Sequence, residues 1–399
     1  MESLISFLNK PKENLTIASG YSANNTIQFI RGGLPYFDLL VELIDRAQES
    51  IHLQVYIYED DETGNRITKA LVRAAQRGVA VFMLLDGYAS NALSADTITT
   101  ITKAGIHFRW FEPLLKGRRF YIGRRMHHKI FVADGQHSLV TGRNISNRYN
   151  DMPDQAAWLD WAVYVKGETS AELYNRCVQM WFRGMKKTML SSLRTSNMED
   201  TDCFIRVRIN DWVRNRNQIS RSYLEMFHRA HSEITIMSSY FLPGRVFRKN
   251  LKQAAKRGIR IRIILTKISD VTLAKLAECY FYPWLLKYGI EIYEYRRKIV
   301  HGKIATYDGH WVTVGSYNVN NISAYASIEL NLDVHNKPFT HEVNQSLNEI
   351  INLDCDKVTD EAFAKRITIF KRMIHRLAYM MVRLIFFLFT FYFKQEKSR

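Results

Sequence analysis

The chain is short of the residues that would build a metal site or a disulfide framework. Its 399 residues include four cysteines, Cys177, Cys203, Cys279 and Cys355, far apart and without metal-type spacing. Free, buried thiols in a reducing compartment are therefore expected. Neither HExxH nor CxxC occurs, and the adjacent His127 and His128 alone do not make a zinc site, which wants four ligands when closed. The opening MESLISFLNKPKENLT has no long apolar region, so no signal peptide is expected. Acidic residues are outnumbered, 39 Asp and Glu against 56 Lys and Arg, giving a formal charge of +17 and a pI near 9.6. Such a field draws anionic partners: nucleic acid, an anionic lipid surface or phosphate esters.

What the chain does have is a repeated pattern. His127, Lys129, Asp134, Gly142 and Asn144 recur as His301, Lys303, Asp308, Ser316 and Asn318, every position displaced by 301 − 127 = 174. Two imidazoles, two ammonium groups and two amides suit a single anionic, phosphorus-centred reaction that needs a nucleophile, an acid and a charge cradle. The pairing resembles the phospholipase D superfamily.

Around each motif, two apolar, β-prone runs flank Asp-Gly, which predicts a β-hairpin. With Gly135-Gln136 and Gly309-His310 at the turn centres, His127 faces Asn144 and His301 faces Asn318. A turn centred on Asp-Gly would instead set Gly142 against His127. Alternation places His127 and Lys129 on one face and His128 on the other. Asp134 falls at the turn, roughly 23 Å along an extended strand from His127. Although Asp134 and Asp308 complete the motif and stand among its candidate catalytic residues, turn chemistry favours a structural role for both. Better placed to orient the histidines are Asp160 in WLDWAVYV and Glu329 in SIELNLDV, 33 and 28 residues after the histidine of the same half. A carboxylate on the far imidazole nitrogen fixes the tautomer and raises basicity.

The segments upstream repeat as well. YFDLLVELIDRAQESIHLQVYIYEDDETGNRITKALVRAAQRGVAVFMLLD and ISRSYLEMFHRAHSEITIMSSYFLPGRVFRKNLKQAAKRGIRIRIILT both read helix, strand, helix, strand. Gly78 and Gly258 follow AAQR and AAKR as helix C-cap signals. Helical segments ending at Ala104-Gly105 and Tyr288-Gly289 come next, then a short strand before each histidine. The expected fold is α/β: two duplicated lobes, each a mixed β-sheet flanked by helices, plus a C-terminal apolar helix. The expected divisions are 1–190, 200–345 and a tail at 346–399, with Lys186–Asp202 as linker.

Basic residues cluster before both motifs: Lys116, Arg118, Arg119, Arg124 and Arg125, then Arg296, Arg297 and Lys298. They are expected to form an anionic approach surface. In the tail, Leu377–Phe393 is apolar except for Arg383 and Thr390, and follows Lys365, Arg366, Lys371, Arg372 and Arg376. A spanning helix needs about 20 apolar residues. A helix seated in the membrane interface fits better than a crossing one, and a helix packed on the core is the alternative.

SANNTIQFIRGGLPYFDLLVELIDRAQESIHLQVYIYEDDETG, LLDGYAS, RRMHHKIFVADG and TGRNISNRY extend the resemblance over roughly residues 20–340. Together they look like the bacterial cardiolipin synthases, in the shorter form without N-terminal transmembrane helices. That resemblance implies phosphatidyl transfer from phosphatidylglycerol to a second lipid alcohol, through a phosphohistidine and without a metal or other cofactor. His127 and His301 would be nucleophile and acid/base in some order. Lys129, Lys303, Asn144, Asn318 and Ser316 would hold the phosphoryl oxygens. Thr141 stands where the family usually has glycine. The implied partners are phosphatidylglycerol, or phosphatidylethanolamine as acceptor, at an anionic membrane surface. Nucleic acid is not expected as a partner. The implied location is the cytoplasmic face of the cell membrane, peripheral or held by the C-terminus. Hydrolysis to phosphatidic acid, or a nuclease-type phosphodiester cleavage, are the rival activities.

Overall fold

The structure, a computed structural model, describes residues 20–113, 115–116, 119–120, 124–182, 202–214, 216–320, 327–361, 363 and 367–397. The first lobe runs β1 (Asn25–Arg31), α1 (Gly33–Arg46), β2 (Ser50–Val55), α2 (Glu62–Gln76), β3 (Ala80–Asp86), α3 (Ala95–Lys103) and β4 (His107–Phe111). Three two-residue strands follow, β5 (Leu115–Lys116), β6 (Arg119–Phe120) and β7 (Arg125–Met126). The lobe closes with β8 (Lys129–Ala133), β9 (His137–Thr141), β10 (Trp161–Gly167) and α4 (Glu168–Trp181). The second lobe begins with β11 (Phe204–Asp211), β12 (Arg216–Asn217), α5 (Gln218–Arg229), β13 (Glu233–Met237), α6 (Arg245–Lys256), β14 (Arg260–Thr266), α7 (Thr272–Cys279) and α8 (Tyr282–Lys287). It continues through β15 (Glu291–Tyr295), β16 (Ile304–Tyr307), β17 (Trp311–Gly315), β18 (Ser327–His335), α9 (Lys337–Asp354) and β19 (Cys355–Val358), and the tail helix α10 (Ile369–Lys397) comes last.

The duplication is visible in the strand order. One sheet reads β1-β10-β9-β8-β2-β3-β4 and the other β11-β18-β17-β16-β13-β14-β15, with β12 and β19 added at its edges. In both, the three strands linked by helices (β2, β3, β4; β13, β14, β15) pair parallel, and the motif hairpin joins them antiparallel. Helix α2 shows why the segments fold as read. Asp61 caps its N-terminus by accepting from the Gly64 amide at 2.9 Å, Ile67, Ala70, Leu71 and Ala74 bury one face, and Gly78 at φ 89° ends it. The strands β1 and β11 were not foreseen; β1 pairs with β10, which starts one residue after Asp160, and β11 pairs with β18, which carries Glu329.

The hairpin register lies between the two expected ones. Asp134 (φ 53°) and Gly135 (φ 65°) both adopt left-handed backbone, and the Gln136 amide closes the turn on Ala133 O at 3.0 Å. Ala133 nevertheless pairs with His137, so Gln136 is an extra residue in the ladder, as His310 is between Tyr307 and Trp311. The domain limits also shift. Helix α9 runs unbroken through residue 345, and β19 pairs antiparallel with β15. The second lobe therefore extends to Val358. The linker expected at Lys186–Asp202 falls, apart from Asp202, outside the described residues.

The lobes share one core. Phe29, Val140, Trp161 and Val163 from the first pack with Val300, Ile304, Val312 and Leu330 from the second in a single buried cluster. All four cysteines are free thiols. The tail helix is divided between two environments. Ala378 and Val382 are buried against the second lobe, and Tyr379 stacks on Tyr280 at 4.7 Å. Phe370, Met373, Leu377, Met380, Leu384 and Phe387 are exposed.

Candidate active site

Each histidine is pinned by the opposite lobe. The backbone amides of His127 and His128 both donate to Ile328 O at 3.0 Å, and those of His301 and Gly302 donate to Leu159 O at 2.8 and 2.9 Å. Ile328 and Leu159 each precede an orienting carboxylate. As a result, His127 Nδ1 meets Glu329 Oε2 at 2.9 Å and His301 Nδ1 meets Asp160 Oδ2 at 2.7 Å. The sequence placed Asp160 with His127 and Glu329 with His301, each within its own half; the pairing is the reverse. Gly302 is required where the first lobe has His128, because a Cβ there would sit 2.3 Å from the Trp161 ring. His128 points away from the site, as alternation predicts, and bonds Gln54 Oε1 at 2.8 Å.

The two carboxylates are seated differently. A Cβ on Gly142 would lie 2.6 Å from Asp160 Oδ2, so the bare backbone there is what admits the carboxylate. At the matching position Ser316 is fully buried and donates its hydroxyl to Glu329 Oε2. Ser316, expected to bind phosphate, is therefore engaged with the orienting carboxylate. Thr141 fills the family's glycine position by donating to Trp161 O at 2.8 Å and accepting from the Arg143 amide at 3.0 Å.

The lysines lie beside the histidines, each 1% exposed. Lys129 Nζ donates to His127 O at 2.5 Å and lies 5.2 Å from the Tyr56 ring centroid. Lys303 Nζ donates to His301 O and to Ser239 Oγ, the latter at 3.0 Å. Tyr56 and Ser239 are equivalent positions, since Ile51 and Ile234 pair with Ala133 and Tyr307 and 239 − 56 = 234 − 51. No motif marks them; only superposing the strand registers of the two halves would have found them. Asn144 accepts from the Ile57 amide at 3.0 Å and donates to Tyr149 Oη at 2.8 Å. Asn318 Oδ1 is buried with no hydrogen-bond partner among the described residues.

Burial sets the charge states. It lowers the His301 imidazole to about 3, helped by the Lys303 charge and opposed by Asp160. Burial also lowers His127, against the pull of Glu329. Both rings are thus neutral at neutral pH, with Nδ1 committed to a carboxylate. Burial brings Lys129 down to about 7 and Lys303 to about 8, with the Lys303 charge pressing on Lys129 as well. Burial alone would raise the Asp160 carboxyl, but the His301 hydrogen bond and the Lys303 and Arg143 charges outweigh it and hold it below the usual range.

Other expected residues are placed elsewhere. The Asp134 carboxylate accepts from the amides of Gln48, Glu49 and Ser50 at 2.8–2.9 Å. Asp308 does the same for His231, Ser232 and Glu233 at 2.8–3.0 Å. Both sit at the far end of their strands from the histidines and tie the hairpin turn to the start of the neighbouring strand. Nor do the described arginines near the motifs form an open anionic track. Arg124 pairs with Asp211 inside the protein, Arg125 with Asp86 at 3.3 Å, Arg296 with Asp356 at 3.2 Å and Arg297 with Asp354 at 2.5 Å. Arg118 and the side chains of Lys116 and Arg119 lie outside the described residues. Among the described residues, no group of three or more His, Cys, Asp or Glu side chains is arranged to hold a metal.

Residues 40–181 and 223–351 match the family described as "Cardiolipin synthase, PLD-like domain". Cardiolipin synthase B of Escherichia coli (strain K12) is 34% identical over 353 residues, 86% of this chain and 84% of that protein. The chain belongs to the phospholipase D-like cardiolipin synthase family. It is an enzyme of the phosphatidyltransferase type. A cardiolipin synthase of Oceanobacillus iheyensis is more distant within the family, 27% identical over 85% of this chain and 70% of its own. Among solved structures, the phosphatidylserine synthase of Haemophilus influenzae Rd KW20 superposes with a TM-score of 0.72 over 96% of this chain and 97% of that one. At 14% identity it establishes a shared fold. A polyphosphate kinase from Porphyromonas gingivalis shares it with a TM-score of 0.59, over 88% of this chain and 51% of that one, at 13% identity.

Proposed function

We propose that the protein transfers the phosphatidyl group of phosphatidylglycerol to the hydroxyl of a second phospholipid alcohol, through a phosphohistidine. The observation that carries this reading is the crossed pairing of two neutral imidazoles, each with Nδ1 on a carboxylate and no hydrogen bond at Nε2 among the described residues. His127, the more open ring at 17% side-chain exposure against 10% for His301, is the nucleophile. Its Nε2 lone pair attacks phosphorus as the bond to the leaving glycerol oxygen breaks. His301 takes up a proton from solvent on Nε2 as the phosphodiester anion binds beside it, and gives that proton to the leaving oxygen. It then takes the proton of the acceptor hydroxyl while the P–N bond breaks. Lys129, Lys303, Asn144 and Asn318 stabilise charge on the non-bridging oxygens in a preorganised site.

The reaction belongs at a bilayer surface, since donor and acceptor both carry acyl chains. The support is α10, which presents Phe370, Met373, Leu377, Met380, Leu384 and Phe387 outward at a 3–4-residue repeat beside the exposed Lys371, Arg372, Arg376 and Arg383. Such a helix lies in the interface plane with its cations at the head groups. Among the described residues no helix is long and apolar enough to cross a membrane.

The test is to incubate purified protein with labelled phosphatidylglycerol vesicles, with and without chelator, and resolve the lipids. Cardiolipin and glycerol in equal amounts, unaffected by chelator, support the reading. Phosphatidic acid as the sole product makes the enzyme a hydrolase, and loss of activity on chelation refutes the mechanism. His127→Ala and His301→Ala should each abolish turnover.

A further inference from the structure

A cavity of about 530 Å³ lies between α6 and α10, on the loop that carries Asn318. Its floor includes Tyr317, Val319 and Asn320; α6 contributes Arg245, Phe247 and Arg248, and α10 contributes Val382, Arg383 and Phe386. No lining residue is acidic. Among the described residues, none of the three guanidinium groups has a carboxylate partner, although Arg124, Arg125, Arg296 and Arg297 ahead of the catalytic motifs each have one. Arg248 Nε is buried without a hydrogen bond, and its guanidinium lies 5.4 Å from the Phe281 ring centroid. The cavity also receives the N-terminal turn of α6, which starts at Gly244 with no side-chain cap and no acidic residue, leaving its first amides toward an anion.

We propose that this cavity is a second lipid site, which seats one anionic phospholipid apart from the two histidines. The head-group phosphate lies against Arg245, Arg248, Arg383 and the α6 amides, and an acyl chain runs between Phe247, Val382 and Phe386. Three features select this occupant. The lining joins apolar walls to uncompensated positive charge, which an anionic amphiphile satisfies at both ends. The volume lies in the range of small-molecule sites. One wall is the inner face of the helix whose outer face is the exposed apolar stripe, so a lipid drawn from the leaflet need not cross water. The site links the membrane to chemistry, because Tyr317 and Val319 flank Asn318 and the Val319 carbonyl accepts from the Leu242 amide at 2.8 Å. A lipid that orders α10 against α6 thereby orders the loop holding Asn318.

The proposal rests on the membrane reading but is tested without turnover. Full-length protein is mixed with vesicles of phosphatidylcholine containing a phosphatidic acid that bears a diazirine on one acyl chain, irradiated, and mapped by mass spectrometry. Adducts are expected on peptides containing Phe247, Val382 or Phe386. They should fall at least fivefold in the triple variant Arg245→Gln, Arg248→Gln, Arg383→Gln, and also when the probe is photoreactive phosphatidylcholine. Val382→Trp, which fills the cavity and leaves the arginines, should abolish the same adducts while labelling of the outward residues Leu377 and Leu384 persists; it serves if the triple variant fails to fold. Adducts confined to the outward face, equal labelling by the neutral probe, or undiminished labelling in Val382→Trp would each overturn the proposal. Failure of the phosphatidyl-transfer reading alone would leave these adducts unchanged.

Discussion

The crossed carboxylates make a prediction that an uncrossed site would not. In Asp160→Asn, the amide oxygen can keep the Trp161 amide that Oδ1 now accepts at 2.7 Å, and the NH₂ is then directed at His301 Nδ1. His301 must accept there and carry its proton on Nε2, the wrong tautomer for a base. Loss of an orienting carboxylate in this way lowers turnover by about 10³–10⁴-fold. The substitution also strips a negative charge from beside the buried Lys303 and Arg143, costing about 3 kcal/mol, at the low end for unpairing a buried charge cluster. The variant should still fold, which a thermal melt checks first. The discriminating assay uses two donors, phosphatidylglycerol and a p-nitrophenyl phosphatidyl ester whose leaving group departs without protonation. With His127 as nucleophile and His301 as acid, Asp160→Asn should lose about 10³-fold with phosphatidylglycerol but keep the nitrophenol burst within about tenfold, a factor worth about 1.4 kcal/mol. Glu329→Gln should lose the burst with both. The opposite pattern would keep the crossed pairing and reverse the roles of the histidines. Equal loss of burst in the two variants would refute the division of labour on which the mechanism rests.

Asp308→Asn keeps a residue that tolerates left-handed backbone but removes charge from three amide hydrogen bonds, so stability should fall by about 2 kcal/mol with kcat per folded molecule unchanged; a melt combined with an active-site titration measures both. Burial opposes the low position of the Asp308 carboxyl, but the Ser232 hydroxyl and the three amides prevail. Its contribution is therefore present above the unfolded carboxylate range and lost as pH falls through the folded value. For Lys129 and Lys303 the folded values are depressed too, so stability again rises with pH: ammonium groups lowered to about 7 and 8 penalise the fold at low pH, and the penalty fades as pH rises toward their unfolded value. An oxyanion such as tungstate should restore their protons, so calorimetry at pH 8 in buffers of differing ionisation enthalpy should register uptake of about one proton per site; no uptake would place the lysines away from the anion. On the tail, Leu377→Glu with Leu384→Glu should leave the melt within about 0.5 kcal/mol of the parent, as for surface changes, and abolish salt-resistant binding to phosphatidylglycerol vesicles in a flotation assay; unchanged binding would put the membrane contact elsewhere.

The sequence made legible what repeats locally. Hydrophobic period and the caps at Gly78 and Gly258 carried the helix–strand alternation, and the histidine–lysine spacing carried the shared face of His127 and Lys129. The turn's extra residue was hidden because Asp134 takes left-handed backbone while anchored to the Gln48–Ser50 amides, a contact 84–86 residues away in sequence. The carboxylates were found but assigned to the wrong rings, since distance along the chain was the only available guide. What decides their partners is the donation of His127 and His301 to Ile328 O and Leu159 O, which depends on how the lobes dock. For Arg124 and Arg125 charge clustering was a poor guide for a similar reason: they sit next to His127 in sequence, yet find Asp211 and Asp86 in space. On the tail, the core reading holds for the face bearing Ala378 and Val382, while the opposite face, bearing Leu377, Met380 and Leu384, is exposed.

The crossing also explains why duplication is useful here beyond supplying two histidines. A single lobe holds a histidine whose carboxylate lies on the other lobe, and a carboxylate whose histidine does too, so neither lobe alone contains half of the reaction. Joining the halves then fixes tautomer and position together, because the same residue pair that orients each ring also clamps its backbone. Yet the halves are not copies. Gly142 admits the short Asp160, whereas Ser316 donates to the longer Glu329, and Gly302 accommodates Trp161 where its counterpart His128 reaches Gln54. These differences leave one ring more enclosed than the other in an otherwise matched geometry. In the proposed mechanism one histidine bonds to phosphorus while its twin only moves a proton, and this inequality is the ground for giving the first role to the more open His127.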